Sequence, residues 1–275
     1  MSNNTFKHSE FYASYPSKVI ARPGYPIRAV YKSKLLFKLF EKKLFGKIDT
    51  IKTYADIGGC FGFGANAMSY FITQKQGFSP ETAVFEIVKE FVTTGKVLFP
   101  NVGFIETKVE EWEEGENTYD LFTLFDVIEH VMKPDLFLQK LSNRCKYILI
   151  KTPMETSGEW FGGIAPVNQG ENHEDGHINF WTPKKYEELI ANNNFEIIDS
   201  IIIPTIVPKG ANEILNPECQ TLKGWRKGWR KLKLMRYPTI LLKELLRDLP
   251  FVPWSFKRKI LGGGEHICLC KSKIF

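Results

Sequence analysis

The stretch Y-A-D-I-G-G-C-F-G-F-G-A-N-A-M-S-Y, residues 54–70, decides the fold that this sequence predicts. An apolar run ends at Asp56, four glycines follow within seven residues, and a helix is expected to open near Ala65. Because glycine lacks a Cβ, such a loop lets a ligand approach backbone amides. The start of the helix adds unsatisfied N–H groups and the positive end of its dipole. The order strand, tight loop, helix therefore predicts a binding site for an anionic group.

The spacing of this loop points to one cofactor class. The pattern D-x-G-x-x-x-G-x-G is filled by Asp56, Gly58, Gly62 and Gly64, and it resembles motif I of the class I S-adenosylmethionine (SAM) dependent methyltransferases. The resemblance implies that Asp56, Gly58, Gly59, Gly62 and Gly64 cradle the methionine portion of SAM.

The same loop also fits a second pattern. Gly62, Gly64 and Ala67 satisfy the dinucleotide fingerprint G-x-G-x-x-A. That fingerprint places its first glycine directly after the strand, whereas the first strand here is expected to end near Ile57. SAM is therefore the favoured ligand, and a nicotinamide cofactor is the alternative.

A second motif follows the predicted fourth strand. Residues 119–125, Y-D-L-F-T-L-F, are nearly all apolar, as in a central parallel strand buried on both faces. The next residues, D-V-I-E-H-V, resemble motif IV of the small-molecule methyltransferases, the branch of types 11, 12 and 23 that includes the ubiquinone-pathway O-methyltransferases. At the carboxyl end of such a strand, Asp126, Glu129 and His130 are expected to face the ligand cleft. Some quinone methyltransferases hold a metal here, but the pattern also occurs without one, so the sequence predicts no metal.

The remaining cofactor contacts are expected after the second and third strands. Glu86 follows Gly64 by 22 residues and ends the predicted second strand, where a carboxylate can accept hydrogen bonds from the ribose hydroxyls. Lys108 and Val109 occupy the place where the family contacts adenine. The family usually has an acidic residue where this chain has Lys108, so adenine recognition is left to backbone groups of Lys108 and Val109 or to Glu110.

Histidines are the candidate catalytic residues. The SAM methyl group is activated by its sulfonium charge, so the enzyme mainly has to place the methyl donor and the acceptor in line. A base is needed only if the acceptor is a hydroxyl. Because imidazole titrates near neutral pH, His130 and His177 are the candidates, with His173 a weaker one. His177 begins H-I-N-F-W-T-P, which resembles a segment preceding a helix in this branch. Thr182 is expected to cap that helix, with Pro183 in its first turn.

These patterns predict a doubly wound α/β sheet of about seven strands. Residues 1–48 are expected to form an N-terminal arm and a lid helix, and residues 49–275 a SAM-binding methyltransferase domain. Within that domain, residues 204–262 form an insertion before the last strand, which is expected at residues 266–271.

Composition supports a globular, intracellular protein. The 275 residues are 43% hydrophobic and 14% aromatic, enough for a large core. The absence of an 18-residue apolar run and of an apolar N-terminal signal argues against membrane spanning and secretion. Five scattered cysteines suit the reduced thiols of a cytoplasm. We therefore expect a cytoplasmic location.

The net charge of +6 is concentrated in residues 223–236, which hold seven basic and no acidic residues. We expect a solvated helix there, with peripheral membrane contact as the next interpretation and nucleic acid as the last. The sequence Asp126-Val127-Ile128-Glu129 also differs from the [DNS]-P-P-[YFW] motif of base methyltransferases. The function expected is methyl transfer from SAM to a small molecule, at oxygen. The alternatives are an NAD(P)-dependent oxidoreductase and a non-catalytic module that docks through the basic segment.

Overall fold

The computed structural model describes residues 24–113, 118–157, 162–165, 176–203 and 262–275, together with positions 253, 256 and 259. The predicted N-terminal arm before residue 24, His173 and the basic segment 223–236 lie outside the described residues.

Helices and strands alternate along most of the described chain. The helices are α1 (Tyr25–Phe45), α2 (Phe63–Gln76), α3 (Lys89–Leu98), α4 (Pro134–Ser142) and α5 (Pro183–Asn192). The strands are β1 (Thr53–Ile57), β2 (Glu81–Glu86), β3 (Gly103–Glu106), β4 (Tyr119–Phe125), β5 (Cys145–Pro153), β6 (Phe195–Ile203) and β7 (Glu265–Ser272). Short 3₁₀ turns occupy Val109–Glu111 and Ile128–His130. No helix in the described part of the chain is long and apolar enough to cross a membrane.

The strands form one sheet in the order β3-β2-β1-β4-β5-β7-β6. Strands β1 to β5 pair in parallel, and β7 lies antiparallel between β5 and β6. From β1 the chain runs outward to β3 and then returns to β4 on the other side of β1. Ligands bind at such a reversal, beyond the carboxyl ends of the strands. The predicted doubly wound, seven-stranded fold is confirmed.

The sheet is buried on both faces because its central strands are apolar at successive positions. Ala55 and Ile57 of β1 point to one face, where they join side chains of α4 and α5. Tyr54 points to the other face, which α1 and α2 cover. Leu36 and Phe40 of α1 are fully buried in that second cluster. Helix α1 is therefore part of the core as well as a cover for the cleft.

Helix α2 begins at Phe63, two residues before the predicted start. Gly62 precedes it with φ = 84°, a left-handed conformation that favours glycine. A Cβ at Gly62 would lie 2.5 Å from Cζ of Phe104. Gly62, the second glycine of the motif, is thus required by the turn and by packing against β3.

Thr182 caps α5 as predicted, since its side chain accepts a hydrogen bond from the backbone N–H of Lys185. We expect Thr182→Ala to lower the free energy of unfolding by about 1 kcal/mol, measured by urea unfolding. The control is Thr93→Ala on the exposed side of α3, where removal of a β-branched residue from a helix costs nothing. Equal stabilities of the two variants would contradict a capping role.

Candidate functional site

A cavity of about 540 Å³ opens at the carboxyl ends of β1, β4 and β5. Its walls come from α1, the glycine loop after β1, the segment after β4, the end of β5, and the residues just before β7. The lining includes Tyr25, Arg28, Lys32, Asp56, Gly58, Gly59, Gly64, Asp126, Glu129, His130, Lys151, Glu155, His177 and Glu265. The topology therefore collects residues that are far apart in sequence at the expected end of the sheet.

The glycine loop gives the cavity a wall of bare backbone. Gly58 has φ = 69°, and a Cβ there would lie 2.6 Å from Cγ2 of Val127. A Cβ at Gly59 would lie 2.8 Å from Oδ2 of Asp56. Helix α1 is fixed to this loop because Oγ of Ser33 donates to the carbonyl of Gly64 at 3.1 Å. Gly58, Gly59 and Gly64 line the cavity, and the clashes show that close packing excludes side chains at Gly58 and Gly59.

Asp56 lies beneath this loop and is 5% exposed. Its Oδ1 accepts a hydrogen bond of 2.7 Å from Oγ1 of Thr123. Burial raises the pKa of Asp56 to about 7, against the effect of the Thr123 hydrogen bond, and the charge of Glu86 raises it further. In the folded protein Asp56 therefore keeps its proton to near neutral pH.

This raised pKa makes stability depend on pH. Between about pH 4 and pH 7 the folded chain holds a proton on Asp56 that the unfolded chain releases, so the free energy of unfolding falls as pH rises through that window. Asp56→Asn lacks this titration. We expect wild type to lose stability relative to the variant by on the order of a few kcal/mol between pH 5 and pH 8, measured by urea unfolding.

Asp120→Asn is the matched control for this prediction. Burial raises the pKa of Asp120, but hydrogen bonds from Lys146 and from the backbone of Lys52 and Thr53 outweigh it and leave the pKa below its usual value. Asp120 therefore stays ionised from pH 5 to pH 8. Its variant should differ from wild type by a constant amount, and a constant difference for Asp56→Asn as well would contradict the prediction.

Asp126 directly follows β4 and has a left-handed conformation with φ = 58°. One carboxylate oxygen pairs with Lys32 of α1, and the other pairs with Lys151 of β5. Burial acts to raise the pKa of Asp126, but the two ammonium groups outweigh it and hold the pKa well below its usual range. Asp126 is thus an ionised link between the sheet and the covering helix.

Lys151 is the buried cation of this network. Its side chain is 1% exposed and pairs with both Asp126 and Glu265. Burial lowers the pKa of Lys151 to about 8, although the charge of Asp126 opposes the shift. The ends of β4, β5 and β7 are therefore tied together by charge at the floor of the cavity.

The two predicted catalytic histidines lie side by side. The ring centroids of His130 and His177 are 4.8 Å apart, with an interplanar angle of 72°. Nδ1 of His130 lies 3.1 Å from the carbonyl of Gly176, and Nδ1 of His177 lies 2.8 Å from Oε2 of Glu155. Each ring is thus held by an oxygen on its Nδ1 side.

Backbone contacts explain why the two histidine segments meet. The amides of Ile178 and Asn179 both donate to the carbonyl of Glu129, at 2.9 Å and 3.0 Å. Nδ2 of Asn179 also donates to the carbonyl of Val131 at 2.7 Å. The H-x-N pattern therefore docks the loop before α5 onto the segment that follows β4.

Glu129 lies beside these histidines, and its side chain is 1% exposed. Burial raises its pKa well above the usual range, and the neighbouring charge of Asp126 adds to the shift. Its Oε1 lies 4.0 Å from Nε2 of His177. A buried carboxyl and two imidazoles thus form one part of the cavity wall.

The other predicted cofactor residues lie away from this cavity. The carboxylate of Glu86 is 5% exposed and accepts hydrogen bonds from the backbone amides of Cys60, Ile87 and Val88. Val109 is buried, whereas the side chain of Lys108 is 64% exposed and pairs with Glu111. Because none of these three residues lines the cavity, the roles of Glu86, Lys108 and Val109 stay predictions.

Sequence reasoning missed the charged residues around Asp126. Lys151 carried a signal, because it directly follows the apolar run 147–150 of β5 and a buried lysine requires a partner. Lys32, Glu155 and Glu265 carried none, since they lie on elements that only the tertiary structure brings to Asp126 and His177.

A family model described as a methyltransferase domain matches residues 31–200, more than half of the chain. The chain therefore belongs to this family. It is a SAM-dependent methyltransferase of class I, as the two sequence motifs predicted, and the nicotinamide alternative is set aside. No curated protein sequence matches the chain significantly.

Solved structures share the fold at low sequence identity. A chain in the complex between the Haloferax volcanii Trm112 methyltransferase activator and its assigned methyltransferase matches with a TM-score of 0.56 at 11% identity, over 94% of this chain and 96% of that one. The [4+2]-cyclase SpnF matches with a TM-score of 0.55 at 12% identity, over 87% and 81%. A Galdieria sulphuraria protein assigned as a sarcosine dimethylglycine methyltransferase matches with a TM-score of 0.52 at 12% identity, over 88% and 86%. At such identity these matches establish the fold alone.

Proposed function

We propose that this methyltransferase acts on a small molecule and transfers the methyl group to an oxygen atom. The observation that carries the proposal is the pairing of His130 with His177 in the same cavity as the glycine loop. The cavity volume lies within the range of small-molecule sites. Helix α1 covers the cavity and is tied to its floor by the Lys32–Asp126 pair. A cavity of this size suits a metabolite better than a nucleic acid strand.

The glycine loop would hold the methionine end of SAM. Gly58, Gly59 and Gly64 offer backbone to the ligand, while Asp56 and Asp126 supply the polar groups beside it. Gly62 supports the loop from below through its turn. Glu86 would accept hydrogen bonds from the ribose, with adenine beyond it toward Lys108 and Val109. We also propose that α1, with residues 1–48, forms the lid on a domain that comprises residues 49–275.

SAM supplies a methyl group already activated by its sulfonium charge. The residues of the chain would place the acceptor oxygen in line with that group and remove its proton. His177 is the favoured base, because Glu155 fixes its ring and its Nε2 faces Glu129 inside the cavity. The proton of the hydroxyl passes to imidazole, the oxygen forms its new bond to the methyl carbon, and S-adenosylhomocysteine leaves.

The test is a methyl-transfer assay with labelled SAM and paired acceptors that differ only in hydroxyl or amine. We expect label in the hydroxylated compounds, and about a 100-fold lower kcat for His177→Gln, as for loss of a general base. The control variant is His266→Gln, because His266 lies on β7 beside Glu187, outside the residues that line the cavity. Transfer only to amines would contradict the oxygen assignment. Peripheral membrane contact through residues 223–236 and a cytoplasmic location stay predictions.

A further inference from the structure

The side of α1 that faces away from the core carries exposed apolar side chains in its first two turns. Ile27, Val30 and Tyr31 stand at i, i+3 and i+4, so they share one side of the helix, and each is at least 41% exposed. Tyr70 of α2 is also exposed, and it lines a groove together with Val30. Single exposed apolar residues are normal on a protein surface, whereas a contiguous patch indicates contact with another molecule.

Three lysines continue the same side of α1 toward its end. Lys34, Lys38 and Lys42 follow Tyr31 at intervals of three and four residues, which keeps them in line with the apolar patch. All three are exposed, and none forms an ion pair or a side-chain hydrogen bond within the part of the chain that the structure describes. The outer face of α1 comprises these lysines together with Ile27, Val30 and Tyr31.

Neighbouring acidic groups do not neutralise this face. Glu41 is the one acidic residue of α1, and its carboxylate pairs with Nζ of Lys75 on α2 at 2.7 Å. The carboxylate of Asp199 on β6 pairs with Lys43, which lies beside the face. The three lysines therefore form a positive stripe next to exposed apolar side chains.

This combination of side chains suits an anionic lipid surface better than other partners. Lysine is depleted in protein–protein interfaces, and a nucleic acid backbone would contact the lysines but leave Ile27, Val30 and Tyr31 in water. At a membrane, apolar side chains enter the boundary between headgroups and acyl chains. The long lysine side chains extend from the same helix to the lipid phosphates.

We propose that the outer face of α1 docks on an anionic phospholipid membrane. The opposite face of the helix stays in the core, where Leu36 and Phe40 are fully buried, so docking requires no unfolding of α1. The contact is distinct from the predicted membrane contact through residues 223–236. It does not rest on the proposed function, because it needs neither SAM nor an acceptor.

Vesicle binding measures this contact directly. The full chain is centrifuged with vesicles of phosphatidylcholine, either pure or containing about 30% phosphatidylserine as the anionic lipid, and the protein in the pellet is quantified. We expect binding to the anionic vesicles alone, and weaker binding at high salt because salt screens exposed charges. A folded chain that binds neither kind of vesicle, or both equally, would overturn the proposal.

A triple variant tests the lysines. Replacement of Lys34, Lys38 and Lys42 by glutamine keeps the helix propensity and should weaken binding to anionic vesicles by about 100-fold, since each lysine near such a surface contributes about fivefold. Circular dichroism shows whether the variant is folded. Binding that persists unchanged in the folded variant would place the contact elsewhere, for instance at residues 223–236, and would refute the role of α1.

The control variant removes the same charge from other helices. Lys89 and Lys96 of α3 and Lys185 of α5 are exposed, and their replacement by glutamine should leave most of the binding intact. An equal loss of binding in both triple variants would mean that only the net charge of the chain matters, and would contradict a specific face.

A second variant tests the apolar part of the face. Ile27→Gln combined with Tyr31→Gln keeps the charge, and it should weaken vesicle binding by at least about 10-fold because less apolar surface enters the lipid. A DNA duplex is the competing probe. If the duplex binds through the three lysines and this variant binds vesicles as wild type does, the face is a nucleic-acid surface and the lipid assignment is wrong.

Discussion

Gly58→Ala is expected to reduce the affinity for S-adenosylhomocysteine by about 1000-fold or more, equivalent to about 4 kcal/mol. Gly58 lies in the cavity wall with φ = 69°. Its new Cβ would come within 2.6 Å of Cγ2 of Val127, so the loop must shift from the position in which its backbone faces the ligand. Isothermal titration with the purified variants measures the change. A bulkier Gly58→Val should abolish binding altogether.

Gly77→Ala is the control that distinguishes the effect of backbone strain from the effect of blocking the cavity wall. Gly77 has φ = 86°, similar to Gly58, but a Cβ there meets no atom within 4 Å. Both variants should lose about 1–2 kcal/mol of stability from the left-handed backbone, and only Gly58→Ala should lose affinity. If a folded Gly58→Ala binds S-adenosylhomocysteine as wild type does, the cofactor does not lie against this loop.

Lys151→Met is expected to destabilise the fold by about 3–5 kcal/mol. Methionine has a similar length but no charge, so Asp126 and Glu265 would lose the ammonium group that both contact. Two acidic groups would then remain beside an apolar side chain at the ends of β4 and β7. Removing one partner of a buried ion pair costs far more than removing an exposed one. Urea unfolding followed by circular dichroism measures the loss.

Lys146→Met is the matched control on the same strand. Lys146 pairs with Asp120 at 2.8 Å, but its side chain is 48% exposed, so its loss should cost only about 0–1 kcal/mol. The double variant Lys151→Met with Glu265→Gln should recover part of the stability, because one of the two carboxylates that contact Lys151 is neutralised. Equal effects of the two lysine variants would mean that the buried network contributes no more than a surface pair.

The sequence predicted those features of the fold that depend on interactions between neighbouring residues in the chain. The apolar runs of β1 and β4, the glycine turn between β1 and α2, and the cap of Thr182 are properties of a few consecutive residues, so their elements were predicted to within one or two positions. The motif residues after β1 and β4 follow from the same elements. Once parallel strands are expected, their carboxyl ends must meet at one edge of the sheet.

The charge network could not be read from the sequence. Lys32 and Lys151 are separated from Asp126 by 94 and 25 residues, and no periodicity relates them. Likewise, the buried Glu86 carboxylate is satisfied by amides of the glycine loop, which a motif comparison does not reveal. Such contacts depend on how helices and loops pack over the sheet rather than on the pattern of any one segment.

The sequence by itself determined the sheet, the ligand-binding edge and the methyltransferase class. The reason is that the periodicity of apolar residues and the spacing of glycines are properties of single strands, helices and turns. The tertiary structure alone decided which side chains share the cavity. It brought His177 beside His130, placed Glu155 behind the His177 ring, and joined Lys32 to Asp126. The reason is that burial makes each charged group in the cavity depend on a partner, and only the packed fold supplies partners from distant segments.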